Sequence, residues 1–94
     1  STPSLVSNTN LFDFIIMPNP NNGQFSVALS GLLEEDSYLI IYDLNGRAIY
    51  QKNIPKTYAN SWSVERRGMA AGVYFVRLVN SKQSKTVRMI IYED

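Results

Sequence analysis

Cysteine and histidine are both missing from this 94-residue chain, and each absence removes a class of function. Without cysteine there is no disulfide framework, no thiolate zinc site and no cysteine nucleophile, so an oxidising compartment is permitted but not required. Without histidine the chain lacks the commonest acid–base side chain near neutral pH and the commonest metal ligand. Every nucleophilic triad built on imidazole is excluded. Carboxylate chemistry alone is left, and no two acids are placed by the sequence as a working pair. The chain therefore reads as non-enzymatic and free of cofactors. Charge of one sign is missing too: nine Lys and Arg against eight Asp and Glu leave a net charge of +1. So weak a field gives no reason to expect nucleic acid or an anionic membrane as partner. No apolar run approaches the roughly 18–20 residues of a membrane-spanning helix. No basic stretch followed by an apolar one opens the sequence, so an exported version is expected to be part of something longer. Helical periodicity is absent as well, and no substantial helix is expected.

What remains is a strand former's sequence. A hydrophobic share of 45% is ordinary for a folded domain, and a chain of this length buries about 60–65% of its unfolded surface in a single core. The Ser/Thr/Asn-rich segment from Ser1 to Asn10 reads as a linker, leaving 11–94 as the domain. Its centre is the stretch from Tyr38 to Tyr50, in which two runs of β-branched and aromatic residues flank Asn45-Gly46. That dipeptide predicts a two-residue type I′ hairpin turn, with positive φ at both positions. Leu39 and Ile41 share one face of the first run, and Tyr38, Ile40 and Tyr42 the other. A strand apolar on both faces belongs inside a sheet or under loops.

Other strands are predicted around this hairpin. Leu11–Met17 places Phe12, Phe14 and Ile16 on one face, and Pro18-Asn19-Pro20 with Asn21-Asn22-Gly23 ends it. Gln24–Leu29 alternates cleanly, with Phe25, Val27 and Leu29 inward. Ala48–Asn53 completes the hairpin. Ser61–Val64 places Trp62 and Val64 together. Gly72–Val79 points Tyr74, Val76 and Leu78 inward and Arg77 away. Lys85–Ile91 is the last strand. Glu34-Glu35-Asp36 lacks the spacing and glycine of a calcium loop and reads as a solvated connection, as does Arg66-Arg67. Seven short strands with regular turn signals predict an all-β fold, a seven-stranded antiparallel two-sheet sandwich of immunoglobulin-like shape.

Four pieces of this sequence, in this order, resemble one family. They are Met17-Pro18-Asn19-Pro20 with Gly23-Gln24-Phe25, then Ile41 to Arg47, then Met69 to Leu78, then the basic-apolar tail from Lys85. Together they are similar to the C-terminal sorting domain of cargo proteins of the type IX (Por) secretion system of Bacteroidetes. Met17 stands where that family commonly has an aromatic residue. The resemblance implies a secretion address and not a catalyst. Its cargo domain comes first in the chain and passes the periplasm before reaching the cell surface or the medium. Its implied partners are an outer-membrane translocon and a surface sortase. Pro18, Asn19, Pro20, Asp43, Asn45, Gly46, Gly72 and Tyr74 match motif positions that reading assigns mainly to the fold. Arg47, Lys85, Val87 and Arg88 are the candidates for recognition. The backbone edge of the last strand is expected to be open to strand addition. The competing reading is an adhesion or carbohydrate-binding module that uses Trp62, Tyr50 and Tyr58 as stacking platforms.

Overall fold

A computed structural model describes residues 12–31, 33–56 and 60–93. The expected linker, Leu11 of the first expected strand and Tyr58 lie outside the described residues. Seven strands follow in order: β1 (Asp13–Met17), β2 (Gln24–Ser30), β3 (Ser37–Tyr42), β4 (Ala48–Ile54), β5 (Ser61–Glu65), β6 (Gly72–Val79) and β7 (Ser84–Ile91). Their limits differ from those read in the sequence by only one or two residues. One sheet holds β1-β2-β5 and the other β4-β3-β6-β7, antiparallel throughout. The chain is thus a two-sheet sandwich, all-β and immunoglobulin-like.

Alternation along each strand builds the core. Phe14 and Ile16 of β1, Phe25 and Val27 of β2 and Trp62 and Val64 of β5 are buried from one sheet. Leu39 and Ile41 of β3, Tyr74, Val76 and Leu78 of β6 and Met89 and Ile91 of β7 meet them from the other. Full burial of each such side chain stabilises the fold by about 1.5–3 kcal/mol. β3 lies between β4 and β6, so both its edges are paired, while only the face with Leu39 and Ile41 meets the core. Its second face, with Tyr38, Ile40 and Tyr42, stays half-buried or exposed.

The central turn differs from the two-residue form expected. The Asp43 N–H donates to the Arg47 carbonyl and the Gly46 N–H to the Asp43 carbonyl, both at 3.0 Å. Gly46 has φ +83°, and no described residue other than glycine has positive φ. This is a three-residue loop, a type I turn followed by a left-handed glycine, so Asn45 keeps an ordinary backbone. Asp43 decides between the two turns. Its Oδ1 accepts the N–H groups of Asn45 at 2.9 Å and Arg47 at 3.0 Å, as an Asp at the first position of a type I turn does. Beyond the loop, pairing steps from Ile41–Tyr50 to Tyr42–Ala48, a bulge over Ile49.

The acidic run is more than a solvated connection. Glu35 accepts the Ser81 N–H at 3.0 Å and its hydroxyl at 2.6 Å, Glu34 pairs with Lys82 at 3.2 Å, and Asp36 accepts the Lys56 N–H at 3.1 Å. These bonds fasten three loops together at the end of the sandwich where β1 begins. Arg66 is likewise anchored, through Nε to the Ile49 carbonyl at 3.4 Å and Nη1 to the Arg67 carbonyl at 2.6 Å.

Candidate recognition site at one end of the sandwich

Strand direction decides which loops meet. β1, β3, β5 and β7 run one way and β2, β4 and β6 the other, as the antiparallel pairings and the parallel bridge Asn21–Ile91 require. The β1–β2 loop, the β3–β4 turn, the β5–β6 connection and the residues after β7 therefore share one end. Parts of all four motif pieces, from Pro18 to Ile91, meet there, while Leu78 and Lys85 lie towards the other end.

The Pro18–Gly23 segment does more than end β1. Both the Met17–Pro18 and Asn19–Pro20 bonds are cis. Asn19 lies against the edge of β7, with its Nδ2 donating to the Arg88 carbonyl at 2.9 Å and its Oδ1 accepting the Ile90 N–H at 3.0 Å. The Asn21 backbone continues this pairing, donating to the Ile90 carbonyl at 3.0 Å and accepting the Tyr92 N–H at 2.9 Å. The edge of β7 from Arg88 to Tyr92 is thus occupied by the chain itself, which corrects the expectation of an open edge. Lone-pair and donor groups that would recruit a foreign strand are already paired.

Asn21 was not legible as more than a turn former. It is 1% exposed, and its side chain donates to the Pro18 carbonyl at 2.9 Å and accepts the Gly23 N–H at 2.8 Å. The Asn-x-Gly spacing is the available signal, since an Asn side chain reaches the backbone two residues on. At Gly23 the reason for glycine is contact. Its carbonyl accepts the Arg66 N–H at 2.9 Å, and a Cβ would stand 2.6 Å from the Arg66 carbonyl oxygen.

Across this end, a shallow depression is lined by Asp43, Leu44 and Asn45 of the turn and by Ala71, Gly72, Val73 and Tyr74. Gly72, with φ +149°, opens β6 opposite Ile91. Tyr74 is buried and its hydroxyl donates to the Ala70 carbonyl at 2.7 Å. That bond back to the preceding corner is the tyrosine-corner geometry of immunoglobulin-like sandwiches. Leu44 stands out at the turn's tip, 67% exposed.

The four recognition candidates do not form one patch. Arg47 projects from the turn, its side chain 76% exposed and its Nε 3.2 Å from Asp43 Oδ2. Arg88 lies on the outer face of the four-stranded sheet, beside Phe75 in the register. Val87 pairs with Val76 and packs against the core. Lys85 sits towards the opposite end and pairs with Asp13 at 2.9 Å. Of the stacking platforms weighed, Trp62 is buried in the core and Tyr50 packs against it.

Electrostatically the carboxylates are acceptors that hold structure. The Arg47 N–H holds the Asp43 carboxyl below the ordinary aspartate range, with the Asn45 N–H and the Arg47 side chain adding to it. Lys85 does the same for Asp13, and the Ser81 hydroxyl for Glu35. Among the described residues no cluster of acids is placed to hold a metal ion, and no helix is long and apolar enough to cross a membrane.

A search of curated proteins finds no match. A family model described as the secretion system C-terminal sorting domain matches residues 15–92, which spans β1 to β7 and every piece that converges at this end. The chain belongs to the C-terminal sorting domain family of the type IX secretion system.

Proposed function

We propose that this domain is a non-catalytic address, carried behind a cargo domain and read by the outer-membrane translocon of the type IX system. The family match supports a sorting signal and secretion to the cell surface or beyond. Passage through the periplasm, removal by a surface sortase and attachment of the cargo to the cell are the further steps of this reading. The observation that carries it is the convergence of the motif pieces at one end. Pieces scattered over 70-odd positions of sequence come to one end only after folding, and in this reading the exposed side chains of Arg47 and Arg88 beside it are what is read. Residues 1–10 serve in this reading as the link to the cargo. The carbohydrate-binding alternative loses its main platform, because Trp62 is 8% exposed and faces the core.

The test joins a signal peptide, a folded reporter and residues 1–94 in that order and expresses the fusion in a type IX-competent bacterium. The reporter is expected outside the cell. Deleting Lys85 to Asp94 leaves it in the periplasm. Equal export from a translocon-deficient strain refutes the reading.

A further inference from the structure

The two outer faces of the sandwich differ in chemistry. On the three-stranded sheet the outward positions alternate with the buried ones, and between Ile15 and Met17 of β1 and the small residues of β2 and β5 they carry carboxylates at Asp13 and Glu65. On the four-stranded sheet the outward rows run across the strands in register. Tyr42, Phe75 and Arg88 form one row, Ile40, Arg77 and Thr86 the next, and Tyr38, Val79 and Ser84 a third, while Val73 pairs with Ile90 beyond the first. β4 adds Ala48, Gln51 and Asn53. Among the described residues no carboxylate stands on this face.

Its two cations also lack an acidic partner among the described residues. Asp13, Glu34, Asp43 and Glu65 form ion pairs with Lys85, Lys82, Arg47 and Arg67. Among the described residues no ion pair involves Arg77 or Arg88, and Arg77 Nε donates to the neutral Ser84 hydroxyl at 2.8 Å. Aromatic and aliphatic side chains with two guanidiniums that have no counter-charge make the composition of a protein contact, where Tyr, Phe and Arg are enriched and Lys, Glu and Asp depleted. Isolated apolar residues on a surface need no explanation, whereas four contiguous rows do.

We infer that the outer face of the four-stranded sheet is a docking surface for a protein whose contact surface is apolar and carries carboxylates. Charge decides the occupant. A second copy of the domain in a two-fold contact would set this face against itself, bringing guanidiniums together with no acid to separate them. A partner with carboxylates against Arg77 and Arg88 instead gains charge-assisted, bidentate bonds over a desolvated apolar centre. The face borders the motif end through the Tyr42–Phe75–Arg88 row, so the two surfaces are continuous. Assigning the partner to export rests on the sorting reading.

The experiment uses the same reporter fusion. Arg77→Glu with Arg88→Glu turns the face from two positive charges to two negative ones, and Ser63→Glu places an acid on the other sheet as control. The double reversal is expected to cut export about tenfold or more while its melting curve follows the wild type, and Ser63→Glu to export normally. A benzophenone amino acid at Tyr38, which is 47% exposed, is expected to crosslink a protein during export and to lose that crosslink in the double reversal. Should the reversal prevent folding, Arg77→Gln with Arg88→Gln and the Tyr38 crosslink decide the matter. Undiminished export by the charge variants overturns the inference, and so does crosslinking only to a second copy of the domain or to lipid. Failure of the wild-type fusion itself to be exported overturns the sorting reading first, and this assignment with it.

Discussion

At Gly46 the backbone holds φ +83° with nothing near the missing Cβ, so the demand for glycine there is conformational and not steric. Gly46→Val places a β-branched residue in the left-handed region, at a cost of about 1–3 kcal/mol. In a domain of this size each kcal/mol lowers the melting point by about 4–8 °C, and an unchanged midpoint would refute the turn assignment. Asn21 works through its neighbours. Asn21→Ala leaves the buried Gly23 N–H without its acceptor and is expected to destabilise by about 1–3 kcal/mol. Urea titration measures this, and hydrogen exchange at Tyr92, which the Asn21 carbonyl holds, should quicken at the same time. Retained stability together with slow Tyr92 exchange would show that Asn21 does not organise this loop.

Three fastenings at the element scale each rest on one ionised acid. Asp43 closes the β3–β4 turn, Asp13 ties β1 to β7 through Lys85, and Glu35 holds the β6–β7 turn through Ser81. All three carboxyls lie lower in the folded protein than their ordinary values of 3.8 for Asp and 4.5 for Glu. The unfolded chain therefore takes up protons first as pH falls, so acid favours unfolding. This contribution is complete above the ordinary carboxylate values and is lost as pH falls through the lower folded-state ones. Urea midpoints measured from neutrality to about pH 2.5 should hold steady and then drop. Asp43→Asn should shallow that drop, and an acid limb identical to the wild type would remove Asp43 from the account. The β7 edge is managed differently, with side-chain and backbone bonds from Asn19 and Asn21 in place of charge. Pro18 and Pro20 supply no N–H groups of their own, so the pairing of this short segment rests on the asparagines.

For the whole molecule, an address read as a folded surface must keep its strand edges from pairing with other chains. The β7 edge from Arg88 to Tyr92, closed by Asn19 and Asn21, serves that need, because open strand edges are templates for association. In the proposed reading, recognition falls to side chains: Arg47 at the turn's tip and the apolar, cationic face beside it. The expected export phenotypes follow from this division. Loss of β7 removes the strand that pairs with β6 and carries Arg88, and charge reversal on the outer face alters contact while the core keeps its packing.

Much of this was legible along the chain. Period-two alternation, with the Asn45-Gly46 turn signal for β3 and β4, located the strands to within one or two residues, because inward positions must be apolar wherever a sheet covers a core. Asp43-Leu44-Asn45-Gly46 also held the type I turn, with Asp first and Gly fourth, although Asn-Gly alone suggested the two-residue form. The order of motif pieces reached the family. The sequence could not show that Asn19 and Asn21 close the last strand, because those bonds join residues about 70 positions apart. Nor could it show which of Lys85 and Arg88 faces outward. A strand sends odd and even residues to opposite faces, but which face meets a core, and which charge finds Asp13, is decided only when both sheets are in place.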